Sequence, residues 1–151
     1  MKRDNADRLH RSPIHLLHRA GQCAGDVFHA EMKVGGLTPR QLAVLMTVSQ
    51  NEGLSQTGLV DRTGIDRSTL ADIVRRMQRK GLLQRRRTKE DARAYAVKLT
   101  DEGRRVLRSA EPLAKKVDER VLETLPAKQR EQFIDDLLSI VDALQKMSPQ
   151  S

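Results

Sequence analysis

Only three of the 151 residues are aromatic: Phe28, Tyr95 and Phe133. An interior without large rings must be assembled from Leu, Val, Ile, Ala and Met. Such side chains suit packed helices better than a sandwich of aromatic, β-branched strands. The length fits a single domain, 1–151. No apolar run approaches the roughly 18 residues that a membrane span needs. The start, Met1-Lys2-Arg3-Asp4-Asn5-Ala6-Asp7, lacks the apolar stretch of a signal peptide, so a soluble cytoplasmic protein is expected. The one cysteine, Cys23, excludes an internal disulfide and any site built from several thiolates.

Apolar periodicity and turn residues divide the chain. Ser12-Pro13 opens a helix whose stripe is Ile14, Leu17, Gly21, Ala24 and Phe28, with an end expected at Gly35-Gly36. Thr38-Pro39 opens a second helix with core positions Leu42, Leu45, Met46 and Val48, closed by Asn51-Glu52-Gly53. Ser55 caps a short third helix carrying Leu59 and Val60, and Thr63-Gly64 turns the chain. Asp66 caps a fourth from Arg67 to about Lys80, stopped by Gly81. The period then falls to two. Leu82–Arg87 and Ala94–Leu99 read as strands around a polar hairpin tip, Thr88–Arg93. Thr100 caps a fifth helix reaching about Glu123, with a bend expected near Pro112. Leu125-Pro126 starts a sixth, with Phe133, Ile134, Leu137, Leu138, Val141 and Leu144 on its apolar side. The apolar sides of the first and last helices exceed what one chain of this size can cover, which points to packing against a second copy.

Charge is concentrated. Residues 62–93 hold eleven basic and four acidic side chains, a net +7; the other 119 residues hold 17 basic and 16 acidic, a net +1. A local excess of this kind is the footprint of a polyanion, nucleic acid before membrane. Wound at about 100° per residue, the fourth helix gathers Leu70, Ile73, Val74 and Met77 on one side. Ser68, Asp72, Arg75 and Arg79 fall opposite, with Arg76 flanking. One side anchors the helix and the other is polar and cationic, at a width that fits the major groove of DNA. Arginine can bond guanine O6 and N7 in pairs. Asp72 can accept from a cytosine amine, or orient Arg75 and Arg76. Ser68 and Thr69 lie in the first turn, beside Arg67, where hydroxyls and backbone N–H groups meet phosphate.

A short helix, a turn and this second helix make a helix-turn-helix unit; the hairpin after it makes a winged helix. The wing stem carries Arg85, Arg86 and Arg87, and its tip Lys89 and Arg93, suited to phosphate or a narrow minor groove. Asp91 can fix the direction of a nearby guanidinium. The fold expected is mainly α: a winged helix-turn-helix (37–100) with a two-stranded β-wing, flanked by N- and C-terminal dimerisation helices (12–36 and 101–147).

These segments resemble the MarR-type (multiple antibiotic resistance regulator) transcription factors from about Leu37 to Leu144. The resemblance rests on Leu37-Thr38-Pro39-Arg40-Gln41, Gly53-Leu54-Ser55-Gln56, Thr63–Leu70, Lys80–Arg85 and Asp91–Gly103. The wing Asp91-Ala92-Arg93 and the helix entry Leu99-Thr100-Asp101-Glu102-Gly103 are its most specific parts. The resemblance implies a homodimer built from the terminal helices on a pseudopalindromic double-stranded operator. It further implies Arg93 in the minor groove, oriented by Asp91, and a small-molecule or redox signal that changes the spacing of the recognition helices. Two departures stand out. Ala92 occupies a position that is basic in many relatives, and Gly58 one that is often Glu or another helix former.

Three signals fit the residues to different degrees. Some relatives sense hydroperoxides through a first-helix cysteine, which makes Cys23 a candidate thiol switch; in them tyrosines orient the thiol, and here the only tyrosine is Tyr95 in the wing. His15 and His18, with His10 and His29 near in sequence, lack a carboxylate or thiol partner at a metal-binding spacing, so no metal site or cofactor is expected. The segment Ser12–Ala20 resembles the first helix of MarR-type regulators of aromatic-acid catabolism, some of which answer to acyl-CoA thioesters. His15, His18, Arg19 and Gln22 are the candidate ligand-binding residues, with donors for a carboxylate or phosphate beside Ile14, Leu16 and Leu17. The expectation is a dimeric, sequence-specific repressor released by an organic effector. A thiol-sensing repressor and a winged-helix protein-interaction module are the alternatives; the second fits poorly with a +7 surface that lacks an aromatic anchor. No nucleophile–base pair, phosphate loop or metal signature points to an enzyme.

Overall fold

The computed structural model describes residues 5–88 and 95–148. Seven helices and three short strands follow in the order α1 (Asn5–His10), α2 (Pro13–Glu31), α3 (Pro39–Gln50), β1 (Leu54–Ser55), α4 (Gln56–Thr63), α5 (Arg67–Arg79), β2 (Leu83–Arg87), β3 (Tyr95–Leu99), α6 (Asp101–Leu122) and α7 (Ala127–Met147). The mainly helical winged fold is thus as expected, with two additions. A short helix, α1, precedes Ser12. A third strand, β1, joins the wing on its open side, giving the antiparallel order β1-β3-β2. Leu54 and Ser55 of β1 face Val97 and Ala96. Two residues are too few for any alternation of polarity to show in sequence.

Caps explain most of the boundaries. Thr38 forms a reciprocal capping box: the Gln41 N–H donates to Thr38 Oγ1, and the Thr38 N–H donates to Gln41 Oε1, each at 3.2 Å. The Gly58 N–H donates to Ser55 Oγ, and α4 ends on Gly64 in the left-handed conformation. Ser12 sits at the start of α2, but its side chain makes no cap bond there; Pro13 alone marks that start. The first long helix also stops earlier than Gly35-Gly36. It ends at Glu31, where Met32 turns inward, and Met32 and Leu37 are both buried. The two glycines form the link, both with positive φ. Pro112 lies within α6 without ending it.

The core belongs to the winged unit. Its fully buried side chains are Val44, Leu45 and Val48 of α3, Leu59 of α4, Leu70, Val74 and Met77 of α5, and Leu83, Val97 and Leu99 of the sheet. Met46, expected in the core, is only half-buried, whereas Val44 and Gln41 are buried. Gln41 tolerates burial because the capping box gives its amide a partner. Helices α2 and α6 join this core through Phe28, Val106, Leu107, Ala110 and Val117. Glu31 ties the two together, accepting from Arg120 at 2.6 Å with Lys116 at 3.8 Å. The Arg120 hydrogen bond is the main reason its carboxyl titrates below the ordinary range. Helix α7 buries no residue.

One close approach fixes the base of the wing. The Thr100 hydroxyl donates to Gly81 O at 2.6 Å, while the Gly103 N–H donates to Thr100 Oγ1 at 2.9 Å. A Cβ on Gly103 would sit 2.1 Å from the Leu82 carbonyl oxygen. Only glycine lets α6 start this close to the strand that opens the wing.

Candidate nucleic-acid interface

The recognition helix forms as its two-sided sequence requires. Leu70, Ile73, Val74 and Met77 are buried, and Arg67, Ser68, Arg75, Arg76 and Arg79 are exposed. Asp66 holds the first turn together. Its Oδ2 accepts from the Thr69 N–H at 3.1 Å and from the Ser68 hydroxyl at 2.9 Å. Bonds from Thr69 and Ser68 stabilise the carboxylate and lower its pKa from 3.8 to about 2. The one proton of the Ser68 hydroxyl is therefore engaged with the cap, and a phosphate contact through it would have to displace Asp66.

Asp72 lies at the middle of the cationic side. It accepts from Arg76 Nε at 2.9 Å, with Arg75 Nη2 at 3.9 Å. Of the two roles open to it in sequence, arginine orientation is the one formed in the free protein. Exposed ion pairs of this kind contribute little stability, so their effect is on the direction of the guanidinium groups. Thr69, Asp72 and Arg76 also border a hollow of about 540 Å³ against Thr38, Pro39 and Arg40 of the α3 start.

The wing stem begins beside this helix. Arg86 and Arg87 are exposed and Arg85 is half-buried. Arg87 lies directly across from Tyr95, and Arg85 across from Val97. Lys89, Asp91 and Arg93, together with the expected strand start at Ala94, lie outside the described residues. In α4, a Cβ on Gly58 would meet Leu54 Cδ1 at 2.6 Å. The departure to glycine thus makes room for the Leu54 side chain where β1 passes into the helix.

The candidate effector residues sit elsewhere. His15, His18, Arg19 and Gln22 follow the i, i+3, i+4, i+7 spacing of one side of α2. His15 is half-buried and the other three are exposed, so the single chain aligns them without enclosing them. Cys23, also exposed, follows on the same helix, and Tyr95 packs against wing arginines. No helix is long and apolar enough to cross a membrane among the described residues.

A buried stripe beneath an arginine-bearing helix, a preceding short helix and turn, and a β-wing at its end define a winged helix-turn-helix DNA-binding protein. The model of the MarR family matches residues 35–94. The transcriptional regulator HosA of Escherichia coli O157:H7 is 35% identical over 98 residues, 65% of this chain and 73% of HosA. The crystal structure of the PcaV transcriptional regulator of Streptomyces coelicolor, in complex with its natural ligand, is similar with a TM-score of 0.85 and 34% identity, over 90% of this chain and 96% of PcaV. The transcriptional repressor CouR, solved on a 23-mer DNA duplex, is similar with a TM-score of 0.82 and 29% identity, over 89% of this chain and 95% of CouR. This chain belongs to the MarR family of transcriptional regulators.

Proposed function

We propose that the protein is a homodimeric repressor that holds a pseudopalindromic operator and leaves it when a small aromatic acid, or its acyl-CoA thioester, binds. The observation that carries this reading is α5 itself: one side is locked into the core and the other presents arginines oriented by Asp72. Arg67, Thr69, Arg75, Arg76 and Arg79 face the major groove. Arg86, Arg87 and Lys89 meet phosphate, and Arg93, steered by Asp91, enters the minor groove. CouR, similar along most of its length, was solved on duplex DNA, which supports this assignment.

The dimer reading draws on α2 and α7. Ile14, Leu16 and Leu17 on the first, and Ile134, Leu138, Val141 and Leu144 on the second, are exposed in the single chain. An unpaired apolar area of that extent is covered most simply by a second copy. The effector reading draws on the polar row of α2. His15, His18, Arg19 and Gln22 offer donors to an acid group, while the neighbouring apolar side chains suit a ring. PcaV, solved with its natural ligand, supports a ligand-responsive mechanism.

The experiment is a thermal-shift screen of aromatic acids and their CoA thioesters, followed by operator-binding titrations with each hit. A ligand of the folded dimer raises its apparent stability and lowers its affinity for the operator. An operator complex indifferent to every stabilising compound would separate the DNA-binding reading from the effector reading and remove the second.

A further inference from the structure

The unusual feature of the wing is its only tyrosine. The Arg85 guanidinium carbon lies 4.5 Å from the centre of the Tyr95 ring, and that of Arg87 lies 5.9 Å away. Residues two apart on a strand share a side, so β2 directs both arginines to the same ring, while Arg86 takes the other side. Two cations this close repel each other, and the electron-rich ring face offsets that repulsion.

Arg85 is held at its other end as well. Its Nη1 donates to Gln56 Oε1 at 3.2 Å, and Gln56 is the first residue of α4. Its Nε is buried and has no hydrogen-bond partner among the described residues. The ring face is what the guanidinium meets instead, as in an N–H···π contact. An arginine with one edge sealed from water and one terminal nitrogen engaged cannot offer its full fork to a phosphate. Tyr95 and Gln56 also border a hollow of about 310 Å³ with Arg67, Leu70 and Ala71, so the outer stem of the wing, the α4 start and the α5 start meet at one place.

We propose that Tyr95, Arg85 and Gln56 form a brace that fixes the angle of the wing against the helix-turn-helix, with Arg85 a positioning residue and not a DNA contact. The proposal rests on the DNA-binding reading above. Its leverage is geometric. A ribbon advances about 3.3 Å per residue, so a tilt of about 10° at its base displaces a point five residues out by roughly 3 Å. Hydrogen bonds to a groove do not survive that displacement.

The test uses the full-length protein and the duplex it selects from a random-sequence pool. Tyr95→Leu is expected to bind that duplex roughly tenfold more weakly, with the outer hydroxyl-radical protections lost, the central ones kept and the melting temperature unchanged. Tyr95→Phe keeps the ring face and is expected to match wild type in both footprint and affinity. Gln56→Leu, which releases Arg85 without touching the sheet, is expected to lose the same outer protections, and it decides the matter if Tyr95→Leu does not fold. An unaltered footprint in the deciding variant, a uniform loss across the site, or an equal defect in Tyr95→Phe would overturn the brace. A wild-type protein that selects no duplex would overturn the DNA-binding reading instead.

Discussion

Helices α5 and α7 both carry apolar side chains at three- and four-residue steps, yet α5 buries Leu70, Ile73, Val74 and Met77 and α7 buries nothing. Leu138 of α7 is 57% exposed, whereas Leu70 of α5 is 1% exposed. The two stripes are of one kind, so the difference lies in what surrounds them. Helix α5 has α4 on one side and the wing on the other, and together they complete a core. Helix α7 extends beyond that core, and among the described residues its own chain buries none of its side chains. A buried stripe reports packing within a subunit, and an unburied one of the same quality reports packing still to be made.

The contrast can be broken from the covered side first, with the largest effect. Gly103→Ala places a methyl against the Leu82 carbonyl and forces α6 away from the wing base. A loss of at least about 3 kcal/mol is expected, or about 6–12 °C in melting temperature for a domain of this size. Thermal denaturation followed by circular dichroism measures it, and an unshifted transition would show that the joint yields without strain. The uncovered side is broken by Leu138→Glu. Within one chain this residue touches little, so the subunit should keep its fold. Two symmetry-related copies, each losing about 1.5 kcal/mol of burial, should weaken self-association by roughly 100-fold or more. Sedimentation equilibrium would detect the dissociation, and an undiminished dimer would place the interface elsewhere.

Smaller effects sharpen the comparison at the cationic face. Arg93→Ala should weaken operator binding by about 1–3 kcal/mol with dimer and melting transition intact. Titrations at several salt concentrations should also lose about 0.9 of log–log slope for each phosphate contact removed, so a slope indifferent to the arginines would argue against phosphate binding. The smallest effect is at the cap. The carboxyl of Asp66 titrates at about 2 in the folded chain, below its ordinary 3.8. Its support of α5 is therefore complete above about pH 4 and is lost as pH falls toward 2. Amide exchange at Thr69 should quicken over that interval in wild type and not in Asp66→Asn, whose amide caps without a charge.

Much of the reading head was legible in sequence because its signals are local. The Thr38, Ser55, Asp66 and Thr100 caps each act within three residues, and the α5 stripe repeats within one helix. What escaped depends on distant partners. Val44 and Gln41 are buried by how α3 packs, and β1 exists only because Val97 and Ala96 lie beside it. The stop at Glu31 follows from Met32 and Leu37 turning into the core and from Arg120 on α6. Among the site residues, the arginine row on α5 was readable from angular position alone. The pairing of Arg85 with Tyr95 and Gln56 needed the folded chain, since no helical or strand period links residues 56, 85 and 95.

The passage from β3 to α6 contains one residue, Thr100, bonded both ways: its hydroxyl donates to Gly81 and its backbone N–H to the Leu82 carbonyl. With Gly103 pressed against that same carbonyl, the passage has no slack. Mechanically it is a weld. The start of α6 and the entry to the wing are therefore joined as one piece through the Leu82 carbonyl.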